Sequence, residues 1–563
     1  MKILQLDVDR IEYEPIGPEI KVYEKADRKN VRIDNALALF ISVEIGDTEA
    51  IASKAVKEAV DFAKKQKVKG IVLYPFAHLS QELEEPQRAM NLLDYMAKEA
   101  GKSKLDVHKA PFGWNKRLSF SAKGHPLAET LKSYGTVEKA PKKMKQRHYD
   151  ASLVKKADWS GLPKTDHRTI GEQLDLYSFQ EVSPGMVYWH PNGYIIYSEL
   201  LRFIRERQAQ YGYREISTPS LANLALWHVS GHIDHYRENM FVFESDGQEL
   251  GMKPMNCPAS ILIYKSRKWS YRELPFRTSI MDRLYRNEIS GALTGLFRVR
   301  EMVQDDSHIF LMEDQLDEEL RMILQLLKEE YSAFGFSYRA KLSTMPDQHM
   351  GDEALWKKAT ATLEKALEKN GIKYETKEKE GAFYGPKIDV DIKDSMGREW
   401  QCATIQIDYQ LPLRFKLEYT GADGAQHTPV IIHRALLGSL ERFIGVLVEH
   451  YQGKFPTWLA PIQVRIVTIS EHANEYAYAL YRDLKKKGIR VDADASDRTI
   501  DYKIREAQIQ QIPYMIVLGK KEVESKKISV RSRSGKQKMG IALDEFLSMI
   551  SKEVSGRDGK QAF

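Results

Sequence analysis

Polar and apolar positions alternate through MKILQLDVDR at residues 1–10, the two-residue period of a strand with one buried face. ALALFISVEI at 36–45 is an apolar run of buried-strand length. AIASKAVKEAVDFAKKQ at 50–66 changes to helical spacing, and VKGIVLYPFAHL at 68–79 returns to strand and turn. A second helical pattern opens at Pro86 and stops before GKSK. LDVHKAPFGWNKRLSFSAKGHPLAE at 105–129 reads as two strands around a Pro/Gly turn. Residues 1–137 thus form a small α/β domain.

After Tyr134 the pattern fades. TVEKAPKKMKQRHYDASLVKKADWSGLPKTDHR is basic, poor in aliphatics and interrupted by prolines, which makes 138–165 a linker. The third segment, 166–458, mixes amphipathic helices with aromatic-rich strands. In NGYIIYSELLRFIRERQAQYGY, Ile195, Ile196, Leu200, Phe203 and Ile204 share a helical face, and the pattern ends at Gly212. LDEELRMILQLLKEEYSAFGF is a second such helix, and FRTSIMDRLYRNE and LFRVREMVQDDSHIF are strand-like. Helices and strands do not alternate regularly here, which predicts an α+β layer with an antiparallel sheet. In 459–563 they do alternate: IQVRIVTIS, EYAYALYRDLKKKG, IRVDAD, YKIREAQIQQ and YMIVLG predict βαβ units and a mainly parallel sheet.

A chain of 563 residues exceeds one hydrophobic core, and roughly 150 residues per domain gives three or four. No run reaches the roughly 20 apolar residues of a membrane span, and the first residues lack a signal-peptide pattern, so no membrane association and a cytoplasmic location are expected. The only two cysteines, Cys257 and Cys402, exclude a disulfide framework and fit a reducing compartment. A net charge of +6 permits nucleic-acid binding without arguing strongly for it.

By spacing alone the chemistry is faint. Cys257, His308 and His433 form no local metal motif, a lone cysteine is usually packing, and Arg286, Arg298 and Arg442 read as surface charges. No GxxxxGK[ST] loop is present, which leaves a P-loop NTPase unsupported.

Three segments in order carry a resemblance. YREISTPS with Pro219, LYRNEISGALTGLFRVREMVQDDSHIF, and LLGSLERFIGVLVEH resemble the three motifs of class II aminoacyl-tRNA synthetases. That family builds its homodimer interface on the first motif, reached here by the helix that ends in YREISTPS. Arg286 and Glu288 fall on the first strand of the second motif and Arg442 in the helix of the third. The resemblance implies Mg2+-dependent use of ATP to form an aminoacyl adenylate, which spreads negative charge that guanidiniums stabilise. Arg286 would grip the α-phosphate, Arg442 the γ-phosphate, and Glu288 the adenine amine. Arg298 and Lys387 would be further phosphate or acceptor-end contacts, and Gln401 joins the nucleotide set. Met302 stands where the family often stacks adenine on an aromatic ring.

KPMNCPAS, QDDSHIF and VIIHRALLGS resemble the zinc-ligand segments of archaeal-type threonyl-tRNA synthetases, giving Cys257, His308 and His433 and one Zn2+ per subunit. The ion would coordinate the amine and hydroxyl of L-threonine. Gln304, Asp306, Tyr384 and Gln406 would complete the amino-acid pocket, with Cys402 as packing. His232 matches a histidine near the terminal ribose of tRNA(Thr). Serine has the same two coordinating groups, and a methyl is worth only ~1–3 kcal/mol. Editing of seryl-tRNA(Thr) is therefore expected. YPFAHLSQEL, APFGWNKRLSF and KGHPLAE resemble the archaeal editing domain, related in fold to D-aminoacyl-tRNA deacylases. His78 and Lys116 match its site and Pro75, Phe76 and Ala77 its pocket turn, while Trp114 and Asn115 replace the tyrosines common before that lysine. The C-terminal segment resembles the class IIa anticodon-binding domain, with Glu522 and Arg531 as base readers and Asp497 where relatives carry asparagine. Rival readings are a prolyl or seryl class IIa enzyme, a non-catalytic RNA-binding paralogue, and a deacylase acting in trans.

Overall fold

The computed structural model describes residues 1–134 and 155–563, except 81, 126, 395, 558 and 560–562. Most of the expected linker, 138–154, therefore lies outside the described residues. The chain divides into two compact units at His148/Tyr149.

The first unit is a six-stranded sheet. Its organising element is the long strand Lys2–Pro18, antiparallel to Val31–Ser42 on one side. On the other side its two halves pair with Glu129–Ser133 and Trp114–Ala122. Val31–Ser42 then continues in parallel to Gly70–Pro75 and Asp106–Lys109. The ALALFIS run is apolar throughout because both faces of this strand are covered. Leu37, Leu39 and Ile41 pack beneath the helices Glu49–Gln66 and Pro86–Gly101, while Ala36, Ala38 and Phe40 meet Val8, Ile11 and Tyr74 on the other face. Thr48 caps the first helix and Pro86 opens the second at a position where no N–H is missed.

The second unit contains an eight-stranded sheet in the spatial order Tyr374–Lys377, Ser337–Ser343, Lys387–Lys393, Glu399–Asp408, Val430–Ala435, Asp306–Leu311, Phe276–Ile280 and Arg214–Ile216. Every pairing is antiparallel except the two at the edges. The helices Pro191–Gln210, Leu316–Phe334 and Leu440–Tyr451 cover it, burying Leu200, Phe203, Leu320, Leu327, Phe443 and Leu447 in the main core. The amphipathic helix predicted from residue 192 ends at Gln210, before YREISTPS; Arg214–Ile216 is a short edge strand instead. After Gly212, at φ +78, the chain reverses and pairs with Phe276–Ile280.

The C-terminal sheet is mixed rather than mainly parallel. Val491–Asp494, Val464–Thr468 and Tyr514–Leu518 are parallel, as their βαβ pattern demands. Ile528–Ser532 and Gln537–Ile541 then fold back antiparallel. In Ile528–Ser532 only alternate residues, Ile528, Val530 and Ser532, are buried, a two-residue period that arginine and serine masked in the sequence.

Candidate functional site

Two neighbouring strands and a helix start converge on one buried point. His308 and His433 lie directly opposite each other in the antiparallel pair Asp306–Leu311 and Val430–Ala435. Cys257 is the first residue of the helix Cys257–Lys265. One ligand atom from each of the three residues lies within 4.8 Å of the others. All three side chains are buried. His433 Nε2 sits 2.9 Å from Asp408 Oδ2, so the carboxylate holds the ring proton there and turns the Nδ1 lone pair to the cluster. Among the described residues, His433 Nδ1 and both nitrogens of His308 have no hydrogen-bond partner. Burial drives the His308 imidazole well below its usual range, with His433 and Arg434 adding to the effect, and burial with Asp306 and Asp408 pushes the Cys257 thiol up. Two buried histidines with orphaned nitrogens and one sulfur are the donor set of a divalent cation of zinc type, so the residues fit such an ion. Around the cradle, Tyr384 OH donates to Gln406 Oε1 at 2.6 Å and Asn256 Nδ2 donates to Asp306 Oδ2 at 3.0 Å.

A cavity of about 210 Å³ in the same domain gathers Arg286, Glu288, Arg298, Met302, Gln304, Gln401 and Arg442. Arg442 lies in the first turn of Leu440–Tyr451, where its N–H is capped by Ser439 and its Nε donates to the Phe297 carbonyl at 3.0 Å. Arg286 Nε donates to Pro254 O at 3.3 Å. Arg298 pairs with Glu288 through Oε2 alone, at 2.8 Å. Arg286 and Glu288 are not on a strand. The strand Arg283–Tyr285 ends just before them, because Arg286 N makes one last cross-strand bond to Arg300 O and the chain then turns. Gln401 donates to Asp389 at 2.7 Å, and Lys387, whose Nζ is 2.6 Å from the same carboxyl group, is not among the cavity-lining residues. Asp305 clamps the approach to the helix by accepting from the N–H groups of Leu436, Leu437 and Gly438 at 2.8, 3.0 and 2.9 Å.

Sequence reading missed Phe297, which lines this cavity, and Cys402 is a lining residue as well as a buried one. It also missed Asp408, whose only signal is its place two residues beyond Gln406 on one strand face. His232 is fully buried, with Nδ1 2.8 Å from Ser230 Oγ and Nε2 3.2 Å from Met255 Sδ, between the rings of Trp227 and Phe383.

The first unit has its own cavity, about 540 Å³, lined by Pro75, Phe76, Ala77, His78, Trp114, Asn115 and Lys116. Lys116 Nζ donates to the carbonyls of Pro111 and Trp114 at 2.9 Å each and lies 5.0 Å above the Tyr74 ring. Burial pulls its pKa down to about 8, against the opposing charges of Glu19 and Glu24. His78 is exposed at the rim. Trp114 Nε1 donates to Glu24 O at 2.6 Å, and Glu24 Oε2 accepts from Phe112 N at 2.7 Å, so the segment around Glu24 fixes the turn that carries the lysine.

Beside the C-terminal sheet, Glu522 in the short helix Lys520–Ser525 reaches back to the helix start. Its Oε2 accepts from Gly519 N at 2.9 Å and its Oε1 from Ser529 Oγ at 2.7 Å, which commits both oxygens. Arg531 lies on Ile528–Ser532, its Nε without a hydrogen-bond partner among the described residues, and Asp497 is exposed.

Residues 1–134 match the family described as the Archaea-specific editing domain of threonyl-tRNA synthetase. Residues 241–451 match the tRNA synthetase class II core domain (G, H, P, S and T), and 463–553 the anticodon binding domain. The chain is 50% identical over 428 residues to a threonine–tRNA ligase from Thermotoga neapolitana, covering 75% of this chain and 67% of that one. A solved structure titled as the RNA binding domain of threonyl-tRNA synthetase from Cryptosporidium parvum matches with 43% identity and TM-score 0.68, covering 69% of this chain and 98% of that one. A prolyl-tRNA synthetase structure from the same organism, at 16% identity and TM-score 0.55 over 70% of this chain and 77% of that one, shares the fold alone.

Proposed function

Because the chain belongs to the threonyl-tRNA synthetase family, we propose that it joins L-threonine to tRNA(Thr) with ATP and Mg2+ and clears seryl-tRNA(Thr) in its N-terminal domain. The observation that carries the reading is the buried cluster of Cys257, His308 and His433, in which three histidine nitrogens have no hydrogen-bond partner among the described residues. These three would hold one Zn2+ per subunit, whose open coordination positions would take the amine and hydroxyl of threonine. Valine, lacking the hydroxyl, would leave the ion unsatisfied. Asp306, Tyr384, Gln304 and Gln406 would line the amino-acid pocket.

In the nucleotide cavity the chain's own work is charge placement. Arg286 and Arg442 carry fixed positive charge toward the triphosphate, and the N-terminus of Leu440–Tyr451 adds its partial charge. Both Arg298 contacts use Glu288 Oε2, so Oε1 remains to accept from the adenine amine. Arg298 itself would turn to phosphate, Gln401 to the nucleotide, Met302 would pack on adenine through its thioether, and Lys387 would contact the acceptor end. His232 would reach the terminal ribose of the tRNA only after the surrounding side chains part.

In the editing cavity, Lys116 would orient the ester and its water as a cation, with His78 at the rim. Glu522 would act on the anticodon by shaping the turn at Gly519, and Arg531 by bonding base edges. We assign residues 1–137 to editing, 138–165 to a linker, 166–458 to catalysis and 459–563 to anticodon binding. We further propose a homodimer through the edge strand Arg214–Ile216, and a cytoplasmic location where both free cysteines stay reduced. Among the described residues no helix is long and apolar enough to cross a membrane.

The deciding experiment combines bound-metal content with pyrophosphate exchange. Purified protein is expected to carry one zinc per chain and to exchange with threonine and serine but not valine. Cys257→Ala should lose both metal and exchange. Full exchange by that variant, or activation of proline by the parent, would overturn the assignment.

A further inference from the structure

The helix Leu440–Tyr451 presents Arg442 to the nucleotide cavity at one end and Glu449 to a buried histidine near the other. That histidine, His167, opens the short helix His167–Gln173 and has no solvent exposure. Both of its ring nitrogens are committed. Nδ1 lies 2.7 Å from Glu449 Oε1, and Nε2 lies 3.1 Å from Leu296 N. A backbone N–H can only donate, so Nε2 must accept and the single ring proton must sit on Nδ1, pointing at Glu449. The imidazole is thereby fixed as one neutral tautomer.

Each partner is itself held. Glu449 Oε1 also accepts from the His167 backbone N–H at 2.9 Å, and its other oxygen pairs with Arg398. Arg398 binds Asp394, which takes the Trp400 indole N–H at 3.0 Å. Asp166, next in the chain, is occupied by Arg168 at 2.9 and 2.8 Å. Asp166, His167 and Glu449 are near enough to suggest a metal set. With both ring nitrogens committed and both carboxylates paired to guanidiniums, they are an ion-pair network instead.

The Leu296 N–H belongs to the turn Gly295–Phe297. Gly295 sits at φ +51, and a Cβ there would come 2.3 Å from His167 Nε2, so the turn is built against the imidazole. The Phe297 ring is enclosed by His167, with centroids 4.0 Å apart, and Trp400, at 4.2 Å. Its third side meets Gly445 on the Arg442 helix, where a Cβ would be 3.0 Å from the ring. The Phe297 carbonyl is the acceptor for Arg442 Nε.

We propose that His167 is a positioning residue for nucleotide use: by accepting from Leu296 N–H it fixes the turn whose Phe297 carbonyl aims Arg442 into the cavity. The inference rests on reading that cavity as the ATP site. An ordinary core histidine would support the fold equally for every ligand. A positioning residue affects ATP and spares threonine.

The test compares His167→Asn with His167→Gln in the full chain. Asparagine can still donate toward Glu449 but is too short to accept from Leu296; glutamine carries an acceptor near the Nε2 position. His167→Asn is expected to raise the KM for ATP in threonine-dependent exchange about tenfold, the value of one lost hydrogen bond. Its threonine affinity, measured without ATP, should stay at the parent value, and glutamine should bring the KM back to within about threefold. Should the asparagine variant not fold, 15N spectra of the parent serve: Nε2 should report an acceptor nitrogen that shifts when a non-hydrolysable ATP analogue binds. Equal loss of ATP and threonine binding, no advantage of glutamine over asparagine, or an unresponsive Nε2 would overturn the proposal. Arg442→Ala is the control for the underlying reading: an unchanged ATP KM in that variant would remove the ATP site itself, whatever His167 does.

Discussion

The replacement Asp408→Asn isolates one charge beside the metal cradle. Asp408 Oδ2 holds His433 Nε2 at 2.9 Å, while Oδ1 accepts from Gln410 N and Leu411 N at 2.7 and 3.0 Å. Asparagine keeps an oxygen for the two backbone donors, so the turn after the strand is retained. What changes is the group facing the imidazole. An amide NH2 there donates to Nε2 and moves the ring proton to Nδ1, onto the nitrogen that faces Cys257 and His308. An amide rotated to keep its oxygen on the ring leaves the two backbone N–H groups facing a donor, at a cost of about 1–3 kcal/mol. Either way ligand basicity falls. Loss of such an outer partner typically costs 10–100-fold in metal affinity, about 1.4–2.7 kcal/mol. The assay is competition for zinc against a chromophoric chelator at fixed pH, with thermal unfolding as a check on the fold. The expected result is a 10–100-fold weaker Kd, with an apo-form Tm near that of the parent. An unchanged Kd would mean that Asp408 does not set the His433 tautomer and that Nδ1 is not the metal-facing atom.

Two further outcomes bear on other parts of the molecule. Lys116→Ala should leave threonine activation intact while seryl-tRNA(Thr) accumulates, and hydrolysis of that ester by the parent should decline as pH rises through about 8, since Lys116 is charged below that value and neutral above it; a pH-independent rate across this range would refute a role for the ammonium. Gly193→Ala places a Cβ 1.9 Å from the Leu176 carbonyl oxygen, which the backbone must move to relieve, and should destabilise the second unit by about 2–4 kcal/mol in denaturant titration.

Much of this architecture was legible because long elements advertise their period. The helices at 49–66 and 316–334 follow directly from apolar spacing, as does the strand ending at Ser42. The cavity lined by Arg286, Glu288, Met302 and Arg442 was anticipated only through resemblance, which grouped these residues before any geometry did. The metal cradle illustrates why. Its two histidines become neighbours through strand register between distant segments, and its cysteine arrives from a helix start, so no local spacing encodes it. Asp408 and His167 escaped for a related reason: each acts by holding another residue, and the sequence shows the holder and the held as unrelated letters. Trp114 looked like a departure from the archaeal pocket, yet its indole N–H anchors the Glu24 carbonyl, a role that depends on a loop contact across the sheet. The last two antiparallel strands escaped because their buried positions are few and polar residues, among them Ser529, Arg531, Gln537 and Lys538, stand between or beside them.

The pairing of His308 with His433 would also give a bound ion a part in assembly. Side chains in a strand alternate between faces, so a slip of one residue in Val430–Ala435 would turn His433 away from His308 and Cys257. A cation that needs all three donors discriminates among registers: it binds the correctly paired sheet and ignores its near misses. At a free concentration 100 times its Kd it would favour the right pairing by about 2.7 kcal/mol. The metal would then act as a template for its own site, and cells short of zinc would accumulate chains whose central sheet had paired out of step.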